Sequence, residues 1–133
     1  MIKLDYTNED FNSIDKNIKV GDICAFGYNE IRHQGVWIGK YCKGALTKFS
    51  TITLENAIFI YFTNQNMMCN NFLLQPNQTS YYHTCDAQTM IRKVNKKELY
   101  LYNLVRKLNK KGISFVNIPD YLRKRFTIQY KNK

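Results

Sequence analysis

Four cysteines and two histidines carry the most versatile chemistry among the side chains of this 133-residue chain. The cysteines are spaced by 18, 27 and 16 positions, at Cys24, Cys42, Cys69 and Cys85. This spacing contains no Cys-x-x-Cys pair, which is the strong signature of a structural zinc site. A zinc site would need His83 and Cys85 from one strand face, together with the distant Cys69 and Cys24. We expect instead that the cysteines are small buried apolar side chains and that the protein holds no metal.

Covalent catalysis has equally weak support in the sequence. A cysteine nucleophile needs a base from elsewhere in the fold, and His83 and Asp86 are too close in sequence to Cys85 to have the usual geometry. His33 is the remaining candidate base. The carboxylates are scattered, and neither a Gly-x-Gly-x-x-Gly nor a Walker-type loop is present. We therefore predict a non-enzymatic protein without a cofactor, and keep a Cys/His metal or thiol enzyme as an alternative.

Positive charge is the strongest signal in the sequence. Twenty Lys and Arg residues against ten Asp and Glu give a net charge of +10 and a pI near 9.5. Residues 92–133 alone sum to +11, whereas residues 1–91 sum to −1. A charge run is often only a solvated face, but this one exceeds what solubility requires. The asymmetry predicts a nearly neutral scaffold with an attached basic surface that binds a polyanion.

The candidate binding residues are cations of this last third together with nearby or exposed aromatic residues. The predicted cations are Arg106, Lys107, Lys110, Lys111, Arg123, Lys124, Arg125 and Lys131. Tyr100, Tyr102 and Trp37 are the candidate aromatics, in a chain that is 14% aromatic. Aromatic rings among cations stack the bases of single-stranded nucleic acids, and Tyr, Trp and Arg also dominate protein-binding hot spots. Packing in the core is the alternative for these rings.

The elements that must position these residues are short strands followed by a helix. Strand-like segments with glycine punctuation between residues 18 and 94 favour a small, strongly curved barrel or two packed sheets, after a polar lead-in over residues 1–17. One helix is predicted over residues 96–111. Asn95 and Glu98 form a capping-box pattern, and the helix has an apolar stripe at Leu101, Leu104, Val105 and Leu108. A short turn is predicted from Pro119, and an edge strand over residues 126–130.

The order of these segments resembles that of a known group of proteins. Val-Gly-Asp at 20–22, Gly-Val-Trp-Ile-Gly at 35–39 and Ile-Arg-Lys-Val at 91–94 precede the helix. This pattern is similar to small accessory proteins of phages and mobile elements in AT-rich bacteria such as Bacteroidetes. In that family an SH3-like barrel precedes a helix that begins with Thr-Pro, where this chain has Asn95-Lys96. The resemblance implies a binding module with no shared active site.

These observations predict an α+β fold made of one domain over residues 1–133. A small SH3-like β-barrel is expected over residues 18–94, an amphipathic helix over 95–112 and a basic C-terminal tail over 113–133. The polar residues 1–10 lack the apolar stretch of a signal peptide, so none is expected, and the longest apolar run, residues 57–62, is too short to cross a bilayer. We expect a protein of the bacterial cytosol that contacts no membrane.

The expected function is that of a non-catalytic phage or mobile-element binding protein. Its basic helix and tail would engage DNA, RNA or a host nucleoprotein. One version is a counter-defence inhibitor that occupies the nucleic-acid channel of a CRISPR effector. A structural or oligomerising phage component is the alternative outside the nucleic-acid class.

Overall fold

The computed structural model describes residues 2–29, 34–47, 50–61, 66–67, 79–84, 89–111 and 120–131, most of them in β-strands. The strands are β1 (Ile2–Thr7), β2 (Ser13–Ile14), β3 (Ile23–Asn29), β4 (Gln34–Gly44), β5 (Ser50–Tyr61), β6 (Asn66–Met67), β7 (Thr79–Thr84), β8 (Thr89–Lys93) and β9 (Phe126–Lys131). The helices are α1 (Lys96–Lys110) and α2 (Asp120–Arg123), and a 3-10 turn spans Asn8–Asp10.

Within these residues the strands form two sheets. The larger has six strands in the order β2-β8-β3-β4-β5-β7, all antiparallel neighbours except the parallel pair β2 and β8. The smaller sheet has the order β1-β9-β6. Its central strand β9 pairs in parallel with β1, from Ile2 opposite Phe126 to Thr7 opposite Lys131, and antiparallel with β6.

The prediction of an SH3-like barrel is wrong, because neither sheet closes on itself in the described part of the chain. A barrel requires the outer strands of one sheet to pair, whereas β2 pairs only with β8 and β7 only with β5. The larger sheet instead covers its apolar face with a second layer. A central cluster of buried side chains joins both sheets and α1, and it includes Tyr6, Ile38, Ile60, Leu101 and Ile128.

The terminal segments also differ from the prediction. Residues 1–17 are not only a polar lead-in, because Ile2, Leu4 and Tyr6 alternate with polar residues and form β1. The described part of the basic C-terminal segment is not a tail, since it forms α2 and then β9. Phe126 and Ile128 of β9 are buried between the layers, and β9 pairs with β1 on one side and β6 on the other, so it is central in its sheet rather than at an edge.

The predicted helix is confirmed, with the expected cap. Asn95 accepts a hydrogen bond from the Glu98 backbone at 2.8 Å, and the Glu98 carboxylate accepts one from the Asn95 backbone at 3.0 Å. This capping box satisfies two N–H groups that the first turn leaves without helical partners. Leu101 and Val105 are buried, and Leu104 and Leu108 pack against the central cluster.

A bulge in β5 changes which of its alternate side chains face each of two separate cores. Ile38 pairs with Ile58 but Lys40 pairs with Glu55, so β5 carries one extra residue, and Asn56 there has a φ of 51°. An extra residue exchanges the faces to which alternate side chains point. Before the bulge, even-numbered residues of β5 face an outer cluster, and after it they face the central one. The outer cluster consists of Ile18, Cys24, Phe26, Tyr41, Ile52, Leu54, Ala57 and Ile91.

Candidate functional site

One face of α1 carries a line of exposed lysines. Residues three, four or eleven positions apart lie on the same side of a helix, and this spacing aligns Lys96, Lys107 and Lys110 of α1 with Lys111 at its C-cap, which we call the cationic row. Tyr100 lies on the same face between the first two lysines, and all five side chains are exposed. At 1.5 Å per residue the row extends for about 22 Å.

The charges of the cationic row have no carboxylate partner among the described residues. The ion pairs found in those residues are Arg92–Glu98 at 2.5 Å and Lys93–Asp22 at 3.6 Å, and neither involves the row. Lys124 and Arg125 are also exposed and unpaired with any described carboxylate.

Arg125 joins α1 to the start of β9 through aromatic contacts. Its guanidinium carbon lies 4.5 Å from the centre of the Tyr121 ring, and its Nη1 donates a hydrogen bond to the Tyr100 hydroxyl at 3.3 Å. The Tyr100 and Tyr121 side chains are 39% and 46% exposed. We call Tyr100, Tyr121 and Arg125 the tyrosine–arginine cluster. It places two of the predicted site residues, Tyr100 and Arg125, in direct contact.

The backbone around this cluster is fixed by the fold. The N–H of Arg125 donates to the carbonyl of Leu122 at 3.1 Å, and its carbonyl accepts from the N–H of Ile2 at 2.7 Å. Leu122 is buried, and the Tyr100 ring lies 5.6 Å from that of buried Phe126, centre to centre. The cluster is therefore supported from beneath by α2, β9 and β1.

The other two predicted aromatics lie elsewhere. Tyr102 is 6% exposed, and its hydroxyl donates to the Asn56 carbonyl at 3.0 Å, which ties α1 to the β5 bulge. Burial raises the pKa of this hydroxyl. Trp37 is half-buried on β4, with its ring centre 4.5 Å from that of Phe59. The structure does not bring either ring to the surface of the cationic row.

Arg106 lies beside the cationic row, partly inside the protein. Its Nη1 is buried and has no hydrogen-bond partner in the part of the chain that is described, and the same holds for the Asn109 amide nitrogen. An unsatisfied buried donor costs about 1–3 kcal/mol. Both donors belong to the last turns of α1, which also carry the exposed Lys110.

The remaining predicted cations are placed only by their backbone. Arg123 ends α2, and Lys131 ends β9 opposite Thr7, while their side chains lie outside what the structure describes. Tyr121 and Lys96 were missed by sequence reasoning. The signal for Tyr121 was its position four residues before Arg125, a spacing that brings two side chains together when the chain makes a helical turn.

A buried charge network anchors the start of α1. Glu98 is fully buried, and Arg92 donates to its two carboxylate oxygens at 2.5 and 3.0 Å. The Tyr6 hydroxyl donates to Glu98 Oε2 at 2.6 Å. Burial acts to lower the pKa of Arg92, but the hydrogen bonds and charge of Glu98 outweigh it and raise the pKa. The network links α1 to β8 and β1, and so orients the cationic row.

The two described cysteine side chains do not favour thiol chemistry. Cys24 is fully buried, and burial raises the pKa of its thiol to about 12. Cys42 donates to the Glu55 carboxylate at 3.3 Å, and this hydrogen bond raises its pKa. Nucleophilic and metal-binding cysteines act as thiolates. The described residues contain no group of three or more metal-binding side chains, while Cys69, Cys85, His33 and the His83 side chain lie outside them.

Replacing Cys24 by alanine is expected to flatten the fall in stability at high pH. The native thiol keeps its proton to about pH 12, whereas the unfolded one ionises near pH 9.0. The contribution of the buried thiol to the free energy of unfolding is therefore complete below pH 9, and it decreases as the pH rises toward 12. From pH 8 to 10, wild type should lose about 1.4 kcal/mol more unfolding free energy than Cys24→Ala. Urea unfolding at both pH values measures this, and equal losses would contradict a buried neutral thiol.

Comparison of this chain with family models, curated proteins and solved structures found no match. Within the described ranges, no helix combines the length and apolarity needed to cross a membrane.

Proposed function

We propose that this protein is a non-catalytic binding protein that uses the cationic row to hold the phosphates of a nucleic acid. The observation that carries the proposal is the alignment of four exposed lysines on one helix face without a described carboxylate partner. Lysine and arginine side chains bind phosphates by displacing condensed counterions, which gives affinity without sequence choice.

The position of the charges supports a polyanion rather than a single small anion. Lys107, Lys110 and Lys111 lie within about one turn of α1, but Lys96 lies about 22 Å from Lys111 along the axis, so the whole row cannot converge on one phosphate group. A nucleic-acid strand presents charges repeatedly along its length and matches such a row.

The dependence of binding on salt tests this proposal. A labelled oligonucleotide of mixed sequence is titrated with the protein, and fluorescence anisotropy gives the affinity at several salt concentrations. With four phosphate contacts from the cationic row, log K should fall linearly against log salt with a slope of about −3 for a single strand. Affinity independent of salt, or no binding at about 50 mM salt, would overturn the proposal, since the electrostatic contribution is largest at low salt.

A further inference from the structure

We propose that the ligand is a single-stranded nucleic acid whose bases stack on the tyrosine–arginine cluster, an inference that rests on the proposed phosphate binding by the cationic row. Two exposed tyrosine rings and a guanidinium plane meet at one place on the surface. Unpaired bases stack on such aromatic rings and on arginine planes. Phosphate binding alone needs none of these rings.

The cluster and the cationic row are continuous. Tyr100 belongs to the same helix face as the lysines, and its hydroxyl accepts the hydrogen bond from Arg125. Arg125 in turn covers the Tyr121 ring at 4.5 Å. A nucleic-acid strand whose phosphates follow α1 therefore passes beside the cluster, where its bases can stack on the tyrosine rings and the guanidinium group.

The cluster is also ordered before any ligand arrives. Hydrogen bonds fix the Arg125 backbone to Leu122 and Ile2, and buried Phe126 supports the Tyr100 ring. Preorganised groups lose little conformational freedom on binding, so more of the stacking interaction contributes to affinity.

This arrangement favours single strands over duplexes. A duplex keeps its bases paired and stacked inside the helix and presents phosphates to its surroundings, so it would engage the cationic row but leave the cluster without a partner. A single strand can turn its bases outward onto the protein. We therefore expect a single strand to bind more tightly than a duplex of the same length at equal salt.

The decisive comparison uses the wild-type protein with two single strands of about 20 nucleotides. One is oligo-thymidine, and the other is an abasic strand with the same phosphates and no bases. Oligo-thymidine should bind at least about 5-fold more tightly, since stacking contributes about 1–3 kcal/mol per base. Equal affinity of the two strands, with the salt dependence intact, would overturn this inference and leave the proposed function standing. No binding of either strand at about 50 mM salt would overturn both.

Variants of Tyr121 locate the stacking. Tyr121→Leu should weaken binding of oligo-thymidine by about 5-fold or more and leave binding of the abasic strand unchanged. Tyr121→Phe is the matched control, because it retains the ring and should bind as wild type does. An equal loss for both strands in Tyr121→Leu would indicate a structural effect and count against stacking on this ring.

Discussion

Replacing Glu98 by alanine is expected to lower the free energy of unfolding by about 3–5 kcal/mol, as breaking a buried ion pair on one side does. Glu98 is fully buried, and its carboxylate accepts hydrogen bonds from Arg92, Tyr6 and the Asn95 backbone. Its removal leaves the Arg92 charge partly buried without its partner and removes the cap of α1. Urea denaturation followed by circular dichroism measures the change.

Two controls make this result specific. Glu9→Ala removes an exposed carboxylate and should change stability by less than about 0.5 kcal/mol. Glu98→Gln retains an acceptor for the cap but not the charge opposite Arg92. Its free energy of unfolding should therefore lie between those of wild type and Glu98→Ala. A loss below about 1 kcal/mol for Glu98→Ala would show that the network is not required to hold α1 in place.

Neutralising two lysines of the cationic row is expected to weaken binding of single-stranded nucleic acid about 60-fold at 50 mM salt and about 10-fold at 200 mM. Lys107→Gln with Lys111→Gln removes two phosphate contacts, and each contact contributes about 0.7 to the slope of log K against log salt. The slope should therefore become less steep by about 1.4. Both side chains are exposed, so stability should change little.

The matched control neutralises two exposed lysines of β4, Lys40→Gln with Lys43→Gln. This variant has the same net charge as the α1 variant but retains the cationic row. Its affinity and salt slope should stay near those of wild type. If the two variants weaken binding equally, the overall charge of the protein would account for binding, and a site on α1 would be contradicted.

The helix could be predicted from the sequence because all of its determinants are local. The capping box needs only Asn95 and Glu98, three positions apart, and the apolar stripe follows the helical period. The exposed lysines on the opposite face follow from the same period. This is why the greater part of the candidate site was found without knowledge of the fold.

The second sheet could not be predicted because its pairing is not local. The alternation of Ile2, Leu4 and Tyr6 is a strand signal, but nothing nearby identifies β9 as its partner. Tyr100 and Arg125 meet only because β9 pairs with β1 over the central cluster. The sequence therefore could not predict the tyrosine–arginine cluster, although Tyr100 and Arg125 were both candidate site residues.

The bulge obscured the length of β5. Residues 51–55 alternate polar and apolar side chains, whereas residues 57–60 are all apolar, so no single pattern runs through Asn56 to indicate the one strand of twelve residues that exists. Residues 57–60 are all buried, which suits a strand between two clusters. The pattern of apolar residues alone does not distinguish a bulge within one strand from the end of one strand and the start of another.

The pairing of β1 with β9 also leads us to expect a particular order of folding. Strands β3, β4 and β5 are neighbours both along the chain and in the sheet, whereas Ile2 and Phe126 meet from almost opposite ends of the described chain. Contacts between distant residues carry the largest loop-closure entropy and slow folding. We expect the hairpins to form early and the β1–β9 pair late. The surface around Arg125 is then completed in the last step of folding, so newly made chains acquire it only after most of the larger sheet is in place.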